Sequence, residues 1–143
     1  MTFSSLLEFC AGQLPGKTQE AARKEFAKRV GGSRLALRRP GGPIQQSGIQ
    51  IVIGVATYSE PELALLDQLD ASLHGGTDGK ARVEVFNVLA CAQMDDFQKF
   101  IPGINSVYRT PVVAVMADGK LVGQATGLAD VKETLARFGI LRD

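Results

Sequence analysis

Sulfur and imidazole are both scarce in this chain: its 143 residues include two cysteines, Cys10 and Cys91, and one histidine, His74. The thiols stand far apart, and neither has the spacing to His74 that a zinc or other metal site requires. No metal and no cofactor is therefore expected. So sparse a thiol content implies free cysteines in a reducing, cytoplasmic compartment, with a Cys10–Cys91 bridge as the disfavoured alternative. Tryptophan is absent and aromatic residues make up 6%. None of them interleaves with basic residues as a single-strand nucleic-acid groove would need, which argues against a nucleic-acid partner. No apolar run approaches the roughly 18 residues that would span a bilayer. The first twelve residues lack a basic flank and carry Glu8 within their apolar stretch, which argues against a secretory leader.

What is present suits one soluble globular unit of ordinary composition, 45% hydrophobic and 22% charged. The net charge of +1 conceals an asymmetry: residues 1–45 carry eight basic and three acidic residues, whereas the remainder carries eight basic and twelve acidic. The basic segment reads first as a solvated helix face lying against the acidic remainder, and second as a surface for an acidic partner.

Along the chain, Phe3, Leu6, Leu7 and Cys10 recur at helical spacing, with Ser5 and Glu8 in capping-box relation. A second helix is expected over residues 18–30, with Ala22, Phe26 and Val30 on one face and Gly31-Gly32 ending it. Residues 33–39 suggest a short edge strand, and PGGPIQQSG over residues 40–48 a loop. This loop divides a basic, helical N-terminal extension (residues 1–48) from the main unit (residues 49–143). Residues 49–56 form a continuous apolar run, the mark of a strand buried on both faces. A leucine-rich helix over residues 60–73 follows, then a strand over 83–88 and a short helix over 93–101 halted by Pro102. Asp118-Gly119 joins two strands as a hairpin. A last helix, with Asp130 and Glu133 as its cap, ends at Gly139.

The order from Ile49 is β-α-β-α-β-β-α, an α/β arrangement of parallel crossovers followed by an antiparallel hairpin. Within it the segment VATYSEPE, residues 55–62, resembles the strand-to-helix segment of thioredoxins. Tyr58 stands at the family's tryptophan position, Ser59 and Glu62 at its two cysteines, and Pro61 at the motif proline. Thr110-Pro111, just before the hairpin, matches the family's cis-proline, and Gly127 a glycine at the equivalent bend. The chain thus resembles a thioredoxin-like protein that lacks the Cys-x-x-Cys pair. The resemblance implies a mixed central sheet flanked by helices. It also implies a redox-inactive protein that binds a protein or peptide partner as an adaptor or chaperone-like module.

A strand running into a helix N-terminus creates an electropositive spot where backbone N–H groups lack partners. In a disulfide oxidoreductase that spot stabilises a thiolate. Here Ser59 is expected as an N-cap, Glu62 as its capping-box partner, and both Glu60 and Glu62 as acids favoured by the helix dipole. Dithiol exchange needs an attacking thiolate and a resolving thiol, so it is excluded at these positions, and no enzymatic activity is expected. The residue before a cis-proline can offer backbone groups to an extended peptide. On the resemblance, Tyr58, Ser59, Glu60, Glu62, Thr110 and Pro111 then form the partner face, with Tyr108 and Arg109 beside them. The alternative is a monothiol redox protein using Cys91, expected at the sheet edge where the missing pair would be. Asp95 and Asp96 nearby oppose a thiolate there. Residues 11–18, AGQLPGKT, approximate a phosphate loop, but a helix rather than a buried strand precedes them, and nucleotide binding is disfavoured.

Overall fold

A computed structural model describes residues 2–74, 81–105, 107 and 109–141, without the side chain of His74. Helices α1 (Leu6–Ala11) and α2 (Thr18–Gly31) precede the short strand β1 (Ala36–Leu37). Strand β2 (Ile49–Val55) leads into α3 (Glu60–His74) and β3 (Ala81–Asn87), followed by a 3-10 turn (Val88–Ala90) and α4 (Met94–Phe100). The hairpin of β4 (Val112–Ala117) and β5 (Lys120–Thr126) precedes α5 (Leu128–Arg137). Among the described residues no helix is long and apolar enough to cross a membrane.

The five strands lie in the order β1-β3-β2-β4-β5. Strand β3 is parallel to β1 and to β2, whereas β4 is antiparallel to both β2 and β5. The resemblance implied this mixed sheet. The reading of the element order as parallel crossovers is corrected, because from Ile49 only the β2-α3-β3 crossover is parallel and β4 enters antiparallel to β2. Six of the seven β2 residues are buried, as expected of a central strand covered on both faces. Ile51, Ile53 and Val55 join one core cluster with the α3 leucines (Leu63, Leu65, Leu66 and Leu69), Val131 and Leu135. Val52 and Ala56 join a second cluster with Phe86, Phe100, Ile101 and Met116. The two-residue period of a strand produces that division.

Gly54 belongs to the second face, between Phe86 and Val112 in the register. A Cβ there would lie 2.6 Å from Phe86 Cζ and 2.9 Å from Val112 Cγ1. The missing side chain makes room for the Phe86 ring, which stacks on Phe100 at a centroid distance of 4.3 Å. At the hairpin turn Asp118 and Gly119 both have positive φ, 52° and 84°, the pair of left-handed residues that a tight two-residue connection requires. The Asp118 carboxylate also accepts from Gly48 N–H at 2.9 Å, tying the turn to the loop that feeds β2.

Residues 1–48 supply β1 to the sheet and Phe3, Leu6, Phe26, Val30 and Leu35 to the first core cluster. Phe3 N–H and the Ser4 hydroxyl donate to the Asp67 carboxylate at 2.6 and 2.8 Å. Arg34 N–H donates to Asp70 at 2.8 Å. Carboxylates on α3 therefore hold the N-terminal segment.

Several local expectations need correction. Arg38, read with the solvated basic residues, is 3% exposed. Its guanidinium donates to the carbonyls of Phe100, Pro43 and Gly42 at 2.8–2.9 Å and lies 3.1 Å from Glu84 Oε1. Gln50 Nε2 and Arg82 Nε also donate to the Glu84 carboxylate, at 3.0 and 2.6 Å. Ser5 does not form a capping box with Glu8: its hydroxyl donates to Thr2 O and accepts from Arg29. Helix α5 begins at Leu128, with Gly127 as its N-cap, so Asp130 lies inside the first turn. There a carboxylate favours the dipole without capping the helix.

Candidate functional site

The turn from β2 into α3 places the SEPE segment at the carboxyl end of a central strand. Ser59 N–H donates to Ala56 O at 3.0 Å, and Leu63 N–H to Ser59 O at 3.1 Å, so the Ser59 carbonyl begins the helix. Tyr58 is 70% exposed, whereas Glu62 is 6% exposed. Glu60 and Pro61 are exposed and Ser59 is half-buried.

The buried carboxylate bridges two segments that are remote in sequence. Glu62 Oε1 accepts from Ala56 N–H at 2.9 Å, and Oε2 accepts from the Thr110 hydroxyl at 3.0 Å. The capping-box reading of Glu62 is corrected here, because its carboxylate reaches back past Ser59 to the end of the strand. The Thr110–Pro111 peptide is cis. Pro111 is buried, and its carbonyl accepts from Gly127 N–H at 2.9 Å. The fold thus brings Ser59 and Glu62 together with Thr110 and Pro111 through one side chain. Tyr58 and Glu60 lie on the exposed side of the same turn. Tyr108 lies outside the described residues, and Arg109 is exposed next to Gly127, where a Cβ would meet its Cδ at 3.0 Å.

The chemistry open to this arrangement is limited. Both oxygens of Glu62 have internal donors, the bond to Ala56 buried and the bond to Thr110 partly so. The Ser59 hydroxyl would need a base to become a nucleophile. His74 is at the far end of the same helix, about 20 Å away by helical rise. Among the described residues no three His, Cys, Asp or Glu side chains gather as a metal site would require. The phosphate-loop-like segment connects α1 to α2 and follows a helix.

Cys91 follows the 3-10 turn after β3, and β3 is second in the sheet, between β1 and β2. The expected edge position is therefore corrected. The thiol is half-buried against the second core cluster beside Met94 and Phe97. Burial pushes its pKa up to about 11; the Asp96 carboxylate adds to the rise and Lys99 opposes it. Asp96 itself is held below the usual carboxylate range, chiefly by the Ala92 N–H that it accepts at 2.8 Å. A persistent negative charge therefore lies near the sulfur. Cys10, half-buried on α1, also has a raised pKa, from burial first.

The expected consequence is slow alkylation. Two pH units separate about 11 from the ordinary 9.0, so at neutral pH the thiolate is about a hundredfold rarer than in an open chain. Iodoacetamide labelling of Cys91 in the native protein is expected to rise with an inflection near pH 11. An inflection at or below 9.0 would contradict this account. Because the folded pKa is the higher one, the thiol's contribution to stability is complete below pH 9 and is lost as pH rises toward 11.

Comparison with known proteins bears on the fold. No family model matches the chain, and no curated protein matches it by sequence. Solved structures do match. One is a chain from a structure of the thiol-resolving mechanism of yeast mitochondrial 1-Cys peroxiredoxin via glutathione/thioredoxin systems. It has 18% identity and a TM-score of 0.50 over 76% of this chain and 96% of that one. Another is ERdj5 in its form II crystal, with 17% identity and a TM-score of 0.52 over 89% of this chain and 16% of that one. A thioredoxin variant from Halobacterium salinarum has 18% identity and a TM-score of 0.48, over 74% of this chain and 86% of that one. The fold is thioredoxin-like. At the strand-to-helix turn where the sequence resembles a dithiol motif, this chain has Ser59 and Glu62.

Proposed function

We propose that the protein is a redox-inactive thioredoxin-like module that recognises a protein or peptide partner as an adaptor or chaperone-like factor. The recognition face is Tyr58, Ser59, Glu60 and Thr110, supported from beneath by the buried Glu62 and Pro111. The observation that carries this reading is Glu62, buried and hydrogen-bonded to both Ala56 and Thr110 at the position of the second motif cysteine. It ties the helix to the cis-proline segment without sulfur, so a binding surface can persist where exchange chemistry cannot. Tyr58 supplies a large exposed aromatic beside it, the residue type that dominates recognition surfaces. Two free, half-buried thiols fit a reducing, cytoplasmic setting. The monothiol alternative at Cys91 is disfavoured by the raised pKa and by the neighbouring Asp96 charge.

The test is affinity capture with the wild type, Tyr58→Ala and Pro111→Ala, followed by a Kd for each recovered partner. Loss of a tyrosine anchor that the partner covers is expected to weaken binding by about 30-fold, on the order of 2 kcal/mol. Partner recovery undiminished by both substitutions would remove this face from the account.

A further inference from the structure

A second concave site lies apart from that face and shares no residue with it. Strand β1 ends at Leu37, whose register partner is Val85. Arg38 N–H makes one more bond to Val85 O at 2.8 Å, and the chain then turns away. Strand β3 continues to Asn87, so its last residues lie beyond the end of β1. The resulting cavity, about 470 Å³, opens between α2 and the 3-10 turn at the carboxyl ends of β1 and β3. Crevices beyond the carboxyl ends of parallel strands are where α/β sheets commonly take ligands, and this volume is within the usual range.

The lining is sharply divided in character. Ala27, Leu37, Pro40 and Ala90 supply the accessible apolar lining, with Phe26, Phe86 and Phe100 nearly closed to solvent behind them and Phe86 stacked on Phe100. Arg23, Lys24 and Arg39 stand on the rim and are exposed. The described lining residues include no acid. Lys24 lies 3.2 Å from Glu20 in an exposed pair, whereas Arg23 and Arg39 have no ion-pair partner among the described residues. Arg38 also lines the cavity, but its charge is matched by Glu84. Two uncommitted guanidinium groups therefore face an apolar hollow of ligand size.

We propose that this cavity binds a small amphipathic anion, an aromatic or alicyclic body bearing a carboxylate, sulfonate or phosphate. The body would lie against Ala27, Leu37 and Ala90, and the anionic group against Arg23 and Arg39. Guanidinium suits such oxyanions because its planar fork donates two parallel hydrogen bonds. The site does not depend on the partner face and can fail or hold without it.

The experiment uses 1-anilinonaphthalene-8-sulfonate and its neutral counterpart N-phenyl-1-naphthylamine as fluorescent probes of the folded protein. Wild type is expected to bind the sulfonate saturably at one site with a blue-shifted emission. Arg23→Glu with Arg39→Glu is expected to weaken the sulfonate at least tenfold while changing the neutral probe less than twofold. Ala27→Trp, which fills the cavity, is expected to remove both; Ala90→Trp, on the opposite wall, takes its place if that variant does not fold. No saturable sulfonate binding would overturn the proposal. Sulfonate binding undiminished by charge reversal or by filling would also overturn it, as would equal loss of both probes on charge reversal.

Discussion

Arg38→Ala is expected to lower stability by about 3 kcal/mol, the low end of what removing one partner of a buried ion pair costs. The guanidinium is almost wholly enclosed, and its loss affects both charge and hydrogen bonding. Glu84 keeps Arg82 and Gln50 as partners at 2.6 and 3.0 Å, which places the cost at the low end. The carbonyls of Phe100 and Gly42 lose their donors, whereas Pro43 O keeps Gln50 Nε2 at 3.1 Å. Unmatched buried acceptors add to the cost. Neutralising the acid in the same chain, as Arg38→Met with Glu84→Gln, is expected to recover part of the loss, because the buried carboxylate, left with the half-exposed Arg82 as its cation, is replaced by a neutral amide while Gln50 retains an acceptor. Urea unfolding read through its midpoint decides this. A single-variant loss below about 1 kcal/mol, or a double variant no more stable than Arg38→Met alone, would contradict this account of the network.

The second large effect is expected at Glu62. Glu62→Leu leaves the buried Ala56 N–H without its acceptor and releases the Thr110 hydroxyl, which is half-buried and can turn to water. One fully orphaned donor and one partly compensated one imply a cost of about 2 kcal/mol. Glu62→Gln preserves the shape: its amide oxygen can accept from Ala56, and its amide N–H can donate to the Thr110 hydroxyl. That variant is expected to lose less than about 1 kcal/mol. The contrast separates a geometric clamp from a need for charge. Equal stability of Glu62→Leu and wild type would show that the bridge between α3 and the Thr110–Pro111 segment is idle. Glu62→Leu is also expected to weaken partner capture more than Glu62→Gln does, since only the former frees the proline segment from the helix.

The parts of this fold that were legible in the sequence are those set by short-range rules. An apolar run rich in β-branched residues, interrupted only by Gln50, points to a strand with both faces covered, and β2 is that strand. Asp118-Gly119 supplies two left-handed residues in succession, and the hairpin forms there. Helix α2 ends at Gly31-Gly32 as the glycine pair suggested, although Gly32, at φ −90°, does not use the left-handed region. Arg38 was not legible, since one arginine in a basic stretch looks like its neighbours. Its partners Glu84 and Phe100 reach it only after β1 pairs with β3. The start of α5 was missed because Gly127, at φ 88°, caps it through backbone geometry with no side-chain signal. Glu62 was singled out, but the wrong partner was expected. Capping-box spacing points to Ser59, whereas the folded turn presents Ala56 N–H and brings Thr110 from 48 positions away. The cavity under Arg23 and Arg39 follows from where β1 stops, which no local pattern encodes.

The central claim is that a thioredoxin-like scaffold here retains its recognition geometry without disulfide-exchange chemistry. The most direct measurement is insulin precipitation in the presence of dithiothreitol at neutral pH. Turbidity is expected to begin no earlier with the purified protein than without it. An onset accelerated in proportion to protein concentration would contradict the claim.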